Sequence, residues 1–300
     1  MIKYHMIRNL SPIQLGGSLY IPATHKNVFT ICNEDKYPQL RSCIIDTEDA
    51  IDEEDLGVAI QNISSMLEVY EPSSLCVFIR PRNPQVLKEL LKIPNIWLID
   101  GFSLPKFSTE VMKEYAQILA LCGKEFYIMP VLENLDIFSK EKLEDIRSFL
   151  LSSHLHVLSL RLGGEDIMNY LGLKRKCEDN IYELVGPSRV IADVLNTFKP
   201  FGFSISATVF NCIHQTELYS KNVQEDLNQG LIGKTIIHPN QIEPINQAYK
   251  VSQEDYEMAK KMLDTKTGAI TVRNGQMGEK FAHSAWAEII LQRYKYFGIK

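Results

Sequence analysis

Two carboxylates stand directly after runs of the sequence that read as buried strands. Glu133 ends the run Phe-Tyr-Ile-Met-Pro-Val-Leu, and Asp166 follows Leu-Arg-Leu-Gly-Gly. If these strands are neighbours in a parallel sheet, both side chains lie at the same edge. Two carboxylates, several waters and a substrate oxygen are a typical shell for Mg²⁺, which is hard and dehydrates reluctantly. The pattern indicates a Mg²⁺ site, although each carboxylate could instead cap the helix that follows it.

Cationic side chains follow other strands of the same kind. Arg80 would place a fixed guanidinium beside a substrate carboxylate or a carbonyl oxygen that develops negative charge. The alternative is a structural ion pair between Arg80 and Asp46 or Glu48. Lys106 follows Leu-Pro and could bind a substrate anion, form a Schiff base or remain a surface lysine. His238 is more typical of a hydrogen-bonded structural histidine than of a catalytic one.

These residues require a set of short parallel strands to position them. Eight runs are short, apolar on nearly every position and rich in β-branched or aromatic residues, as strands buried on both faces are. They are predicted at Ser18–Ile21, Cys43–Asp46, Leu75–Arg80, Ile96–Ile99, Phe126–Leu132, Val157–Leu162, Phe203–Val209 and Thr235–Ile237.

Segments with helical periodicity separate the strands. Leu56, Ile60, Ile63 and Leu67 recur at intervals of three and four, and similar stripes follow later strands. Eight strands that alternate with helices predict an α/β fold, a (β/α)8 barrel, with an open doubly wound sheet as the main rival. No glycine-rich nucleotide loop follows the first strand, which disfavours the rival. Barrel enzymes carry their sites at the carboxyl ends of the strands.

The chain continues well beyond the eighth strand. Residues 1–250 are predicted to form the catalytic barrel, and residues 251–300 a helical C-terminal extension. Within the extension, a helix opened by Ser252 and a final helix near Phe281–Phe297 flank a predicted loop at Asp264–Gly278. This extension could cover the barrel mouth, contact a neighbouring subunit or pack on its own barrel.

Bulk composition narrows the class of protein. Apolar residues make up 45% of the chain and charged residues 23%, and the net charge of −5 is not that of a nucleic-acid-binding protein. No apolar run approaches the roughly 20 residues that cross a bilayer, and the N-terminus lacks a signal peptide. Six scattered cysteines without a CxxC pair predict reduced thiols and a cytoplasmic protein.

The strand-end segments, in their order, resemble the family of the citrate lyase β-subunit and the pyruvate-type class II aldolases (HpcH/HpaI aldolases). The resemblance covers about residues 15–290, and a segment near Gly275 and Met277 looks like the closing motif of the family. The matching segments are Ser18–Pro22, Asp46–Ala50, Arg80, Leu104–Lys106, Glu133, Gly164–Asp166 and Gly233–Ile242.

The resemblance implies a (β/α)8 barrel that holds Mg²⁺ at Glu133 and Asp166 and binds substrate through Arg80. It implies cleavage or formation of a carbon–carbon bond next to a carbonyl, in a small oxo- or hydroxy-acid or its CoA thioester, through an enolate stabilised by the metal and Arg80. A homo-oligomer, a trimer or hexamer, is expected. Glu48 is a candidate for the base or for orienting Arg80. A metal-enolate mechanism makes Lys106 a binding residue rather than a Schiff base.

Three further residues at the strand ends are predicted substrate contacts: Pro22, Gly164 and Thr208. Gly163 and Gly164 suit a backbone that passes close to a ligand.

Some positions depart from the citrate lyase pattern. Gly16-Gly17 stands where many members have arginine, Arg80-Pro81-Arg82-Asn83 replaces a shorter Arg-x-Asn, and the seventh strand offers no acidic residue. Citryl-CoA is therefore not the expected substrate, and the chain looks closer to a bacterial subgroup associated with tellurium-resistance gene clusters. A malyl-CoA-type thioesterase or synthase and a non-catalytic ligand-binding barrel remain alternatives.

Overall fold

The structure is a computed structural model that describes residues 7–32, 36–264, 270–273 and 276–300. Contacts divide the chain into two compact units, Met1–Ile242 and Glu243–Lys300. No helix in the described ranges is long and apolar enough to cross a bilayer. The predicted domain bounds of 1–250 and 251–300, and the predicted role of the extension, stay predictions.

The first unit is the predicted α/β barrel. Its strands run parallel in the order β8-β7-β5-β4-β3-β2-β1-β9, with β6 also on β5. Because β6 and β7 both pair with β5, they are two pieces of one barrel strand. The barrel therefore has eight strands. The strands are β1 Gly17–Pro22, β2 Ser42–Asp46, β3 Cys76–Arg80, β4 Gly101–Leu104, β5 Tyr127–Leu132, β6 His156–Val157, β7 Leu160–Leu162, β8 Ile205–Ser206 and β9 Lys234–Ile236.

Burial explains why the strands are so apolar. Every residue of β2 and β3 is buried, because helices cover the outer face and the barrel interior covers the inner one. The barrel closes where Ala207, just after β8, forms a parallel bridge with Lys234 of β9. This ring brings the carboxyl ends of β2, β3, β5 and β7 to one rim.

Helices alternate with the strands and continue into the second unit. Helix α7 (Val185–Phe198) contains Pro187 in its first turn, where a missing N–H costs nothing, and the helix continues unbroken. The helices are α1 Val28–Cys32, α2 Leu56–Val69, α3 Pro84–Leu90, α4 Met112–Leu121, α5 Lys140–Ser152, α6 Gly164–Tyr170, α7 Val185–Phe198, α8 Thr216–Asn228, α9 Ile242–Tyr249, α10 Gln253–Asp264 and α11 Lys280–Phe297.

The predicted fourth strand was wrong. Ile96–Leu98 form a 3-10 helix after Asn95, whose backbone is left-handed (φ 63°), and the strand is Gly101–Leu104 instead. The apolar run resembles a strand because Ile96 and Ile99 are buried, although the segment forms a turn. The real strand contains a glycine whose backbone lies very close to β5: an added Cβ would meet the Tyr127 carbonyl oxygen at 1.9 Å.

The second unit contains most of α9, the helices α10 and α11, and a hairpin. Ser252 caps α10 as predicted, with its Oγ accepting from the Asp255 N–H at 3.0 Å. The predicted loop at Asp264–Gly278 was wrong in part, since β10 (Ile270–Arg273) and β11 (Gln276–Glu279) form an antiparallel hairpin. Gly275, part of the resemblance near the C-terminus, lies outside the described residues.

The prediction that all cysteines are reduced is also wrong. Cys177, after α6, and Cys212, after β8, form a disulfide across 35 residues of chain. No spacing motif in the sequence indicates this disulfide, because the barrel brings together two loops that are distant in sequence. Cys32 and Cys43 are buried, with sulfurs 3.9 Å apart.

Candidate active site

Arg80 is held at the end of β3 by carboxylates from the end of β2. Its Nε and Nη2 donate to the two carboxylate oxygens of Asp46, both at 2.6 Å. Its Nη1 lies 2.7 Å from Glu48 Oε2 and 3.2 Å from Asp49 Oδ2. Tyr20 packs on the guanidinium, with its ring centre 4.9 Å away. The ion pair that the sequence left as an alternative is therefore present.

Arg82 fixes the loop that carries these carboxylates. Its guanidinium donates to the backbone carbonyls of Thr47, Glu48 and Ile51. The second arginine of Arg80-Pro81-Arg82-Asn83, one of the departures from the family pattern, thus orders the loop after β2.

Glu48 joins two cations. Besides Arg80, its Oε1 accepts from Lys106 Nζ at 2.5 Å. Burial raises the pKa of Glu48 to about 7, although Arg80 and Lys106 both oppose this rise. The contacts suit either predicted role for Glu48: a base near neutral pH, or a group that orients Arg80.

Glu133 is buried at the end of β5, with only 3% of its surface exposed. One oxygen accepts from the backbone N–H of Lys106 at 2.8 Å, and Lys106 has an unusual left-handed backbone (φ 49°) that turns this N–H toward the carboxylate. Burial, followed by repulsion from Glu48 and Asp166, raises the pKa of Glu133 to about 8. This carboxylate lies in a place that disfavours its negative charge unless a cation joins it.

Asp166 faces Glu133 across the backbone of Gly163. It is the third residue of α6, and burial raises its pKa. A Cβ on Gly163 would lie 2.2 Å from Glu133 Cβ, 2.7 Å from Glu133 Oε2 and 3.3 Å from Asp166 Oδ2. Oxygens of both carboxylates therefore approach one point, and glycine is required there to leave room.

This carboxylate pair fits Mg²⁺ in its donor chemistry. Both donors are hard oxygens, and a divalent cation would offset the burial and the repulsion that together raise the pKa of Glu133. Within the described ranges, no three or more His, Cys, Asp or Glu side chains are grouped as a metal site. A shell built on Glu133 and Asp166 needs its other oxygens from water and ligand.

A cavity of about 310 Å³ opens beside these residues. Glu133, Asp166, Gly164 and Arg80 line it, and so does Arg161 of β7. Its size suits a small molecule.

The other predicted substrate contacts lie farther from the cavity. Pro22 ends β1 in register with Asp46. Thr208 is buried behind Gly164: an added Cβ there would lie 2.6 Å from Thr208 Cβ. The cavity residues after β8 are Val209 and Asn211. Site assignments for Pro22, Thr208 and Lys106 remain predictions.

Tyr20 and Arg161 are among the cavity residues that were not predicted from the sequence. Arg161 had a readable signal, because it interrupts the otherwise apolar Leu160–Leu162 of a buried strand. Tyr20 had none, since an aromatic residue is ordinary in a strand.

The sequence matches one family model, described as C-C bond lyase of the TIM-barrel fold, over residues 9–299. The chain therefore belongs to this family of barrel carbon–carbon lyases. No curated protein matches the sequence at a significant level.

Several solved structures share the barrel fold of this chain. CitE from Mycobacterium tuberculosis, in complex with magnesium, acetoacetate and coenzyme A, is 19% identical over 95% of this chain and 99% of its own, with a TM-score of 0.68. A citrate lyase from Burkholderia xenovorans LB400 is 14% identical over 97% and 96%, with a TM-score of 0.74. RipC from Yersinia pestis is 18% identical over 82% and 99%, with a TM-score of 0.60. At these identities the likeness establishes the shared barrel fold alone.

Proposed function

We propose that the chain is a Mg²⁺-dependent carbon–carbon lyase or aldolase that acts on a small oxo- or hydroxy-acid or its CoA thioester. The observation that carries the proposal is the pair Glu133 and Asp166, whose oxygens converge beside Gly163 in a cavity that Arg80 also lines. Support also comes from similar structures of the M. tuberculosis protein, which hold magnesium with pyruvate or with oxaloacetate.

Each residue has a distinct task in this proposal. Glu133 and Asp166 hold the cation. The cation, when bound, supplies Lewis-acid polarisation of a substrate carbonyl. Arg80 provides a guanidinium of fixed orientation at the cavity wall, because its contacts to Asp46 lock the guanidinium plane. Glu48 orients both Arg80 and Lys106, and with a pKa of about 7 it can also take a proton.

Calorimetric titration with Mg²⁺ tests the metal site directly. Glu133→Gln and Asp166→Asn should each weaken Mg²⁺ binding by at least about 100-fold, since each removes a ligand. The titration is run with and without pyruvate, because the substrate supplies part of the shell. Glu165→Gln is the matched control: it removes an exposed carboxylate next to Asp166 and should change the affinity little.

Either of two results would contradict the proposal. Wild-type protein that binds no Mg²⁺ in either condition removes the metal mechanism, and the non-catalytic binding barrel then becomes the better description. Equal losses in Glu165→Gln and Asp166→Asn would show a diffuse acidic effect rather than specific ligands.

Isotope exchange separates the lyase from the thioesterase or synthase alternative. Proton exchange at the carbon next to the carbonyl reports enolate formation. Its dependence on an added aldehyde acceptor then distinguishes an aldolase from a thioester-hydrolysing enzyme.

A homo-oligomer, trimer or hexamer, and a cytoplasmic location belong to the same proposal. Light scattering of the purified chain tests the first. The Cys177–Cys212 disulfide bears on the second, because disulfides are rare in reducing compartments. Thiol labelling of these two cysteines in freshly lysed cells would report the compartment.

A further inference from the structure

Arg161 is a buried cation that lines the cavity. It lies on β7, between Val131 of β5 and Ser206 of β8 in register, and only 1% of its surface is exposed. Its guanidinium contacts Ser18 of β1 and Thr235 of β9, strands that do not pair with β7, so the side chain points into the barrel interior. Arg161 and Gly163 both line the cavity.

The neighbours of the Arg161 guanidinium are neutral. Nη2 donates to Thr235 Oγ1 at 2.7 Å, Nη1 lies 3.4 Å from Ser18 Oγ and 3.9 Å from the Met129 sulfur, and the Tyr20 ring centre is 5.5 Å away. In the part of the chain that the structure describes, Nε has no hydrogen-bond partner and no carboxylate forms an ion pair with Arg161. Five N–H donors therefore meet few acceptors.

An arginine keeps its positive charge, and a buried charge without a counter-ion is costly. Arg80 differs, because Asp46, Glu48 and Asp49 already surround it with negative charge. Of the two cavity-lining arginines, Arg161 is the one that lacks an anion.

We infer that Arg161 binds a carboxylate of the ligand, distinct from the ligand oxygens at Glu133 and Asp166, so that the preferred ligand is a small dicarboxylic acid. This inference rests on the proposed function, which identifies the cavity as the active site. It adds the class of ligand that this site prefers. The planar guanidinium, whose Nε has no hydrogen-bond partner among the described residues, suits the two oxygens of a carboxylate. The cavity volume of about 310 Å³ accommodates an acid of this size.

Malate and lactate provide the matched probes. Both are 2-hydroxy acids, and they differ by one carboxylate. Each is titrated by calorimetry into the wild-type protein and into Arg161→Met and Arg161→Lys, with Mg²⁺ present. In wild type, malate should bind at least about 10-fold more tightly than lactate, a difference of about 1.4 kcal/mol. Arg161→Met should remove this preference while lactate affinity changes less than about threefold.

Arg161→Lys keeps the charge but loses the planar fork, so it should retain only part of the preference for malate. Equal loss of both acids in Arg161→Met would overturn the inference, because Arg161 would then support the cavity as a whole. Wild-type protein that binds neither acid, or binds both equally, would overturn it too.

Unfolding of the ligand-free protein supplies an independent readout. Replacing an unpaired buried cation by an apolar side chain of similar length should leave the urea midpoint unchanged or raise it. Lys234→Met is the matched control: Lys234 is equally buried but lies 2.6 Å from Asp226, so this variant should lower the midpoint. A clear fall for Arg161→Met would assign the residue to structure instead.

The two proposals fail separately. Mg²⁺ titration without acid reports on Glu133 and Asp166 alone. Loss of the malate preference in Arg161→Met, combined with no Mg²⁺ binding either with or without pyruvate, would retain the carboxylate site and refute the lyase mechanism. Intact Mg²⁺ binding with no preference for malate would retain the lyase proposal and refute the carboxylate site at Arg161.

Discussion

The two sides of the barrel rim differ in whether their buried charges have partners of opposite charge. On the paired side, at the ends of β2 and β3, Arg80 meets Asp46 in two 2.6 Å hydrogen bonds and also contacts Glu48. On the acidic side, at the ends of β5 and β7, Glu133 and Asp166 face each other across Gly163. Burial is similar for Glu48 and Glu133, so the difference lies in the partners that the fold provides.

This contrast separates charges that the fold satisfies from charges that a ligand must satisfy. Removing a group on the paired side leaves a buried partner uncompensated, which destabilises the protein. Removing a group on the acidic side relieves repulsion, so the cost appears in cation binding instead. Stability and binding measurements can therefore be used to assign residues to one side or the other.

The largest expected effect is that of Asp46→Ala. The variant leaves the buried Arg80 guanidinium without its bidentate partner and leaves the Glu48 and Ala50 N–H groups without an acceptor. Breaking such a buried pair costs about 3–5 kcal/mol of unfolding free energy. Urea denaturation measures this loss.

Asp49→Ala is the control for Asp46→Ala. Asp49 also contacts Arg80, at 3.2 Å, but its side chain is 60% exposed. Its removal should cost less than about 1 kcal/mol, because solvent screens the pair. Similar losses in the two variants would contradict the distinction between a buried structural pair and a peripheral contact.

The next effect is a dependence of stability on pH that originates on the acidic side. The pKa of Glu133 is raised in the folded protein from 4.5 to about 8, so between these values the folded state binds a proton that the unfolded state releases. Stability without Mg²⁺ should therefore fall as the pH rises toward 8. Urea midpoints in EDTA across this range measure the slope, and excess Mg²⁺ at the upper end should restore stability.

Glu133→Gln should flatten that slope, because the neutral amide has no proton to lose. Some dependence of the same sign will remain from Glu48, whose pKa is about 7. A wild-type slope that matches the variant would place Glu133 in an ordinary environment and weaken the contrast between the two sides.

The smallest effect is expected for Lys106→Met, at the junction of the two sides. Its side chain contacts Glu48 on the paired side, and its backbone N–H donates to Glu133 on the acidic side. Only the first contact is lost in the variant. Because the lysine side chain is 54% exposed, the loss of stability should stay below about 1 kcal/mol.

Lys88→Met provides the surface reference, since Lys88 pairs with Glu114 at 3.3 Å where both side chains are exposed. Lys106→Met should exceed it in urea denaturation, because Glu48 is buried. A smaller effect for Lys106→Met would mean that Arg80 alone satisfies Glu48.

Most of the barrel could be predicted from the sequence because its strands are short and apolar on both faces. The strand at Gly101–Leu104 could not, since its glycine and serine give no β signal and the neighbouring Ile96–Leu98 gives a false one. The hairpin of β10 and β11 was also hidden, because the glycines around it are equally typical of a loop.

Some features of the site could be predicted from the sequence and others could not. Glu133 and Asp166 could be placed near each other because strand order alone brings the ends of β5 and β7 together. Arg80 has carboxylate partners and Arg161 has none among the described residues. This difference depends on side chains from strands far apart in sequence. Local pattern carries no information on those distances.

The absence of a side chain at Gly163 makes this codon sensitive to mutation. The position holds no functional group, yet a side chain as small as a methyl would intrude between the two carboxylates. Every change in the first or second base of a glycine codon introduces a Cβ or ends the chain. A single-base missense change at this codon should therefore be as damaging to cation binding as the loss of a carboxylate itself.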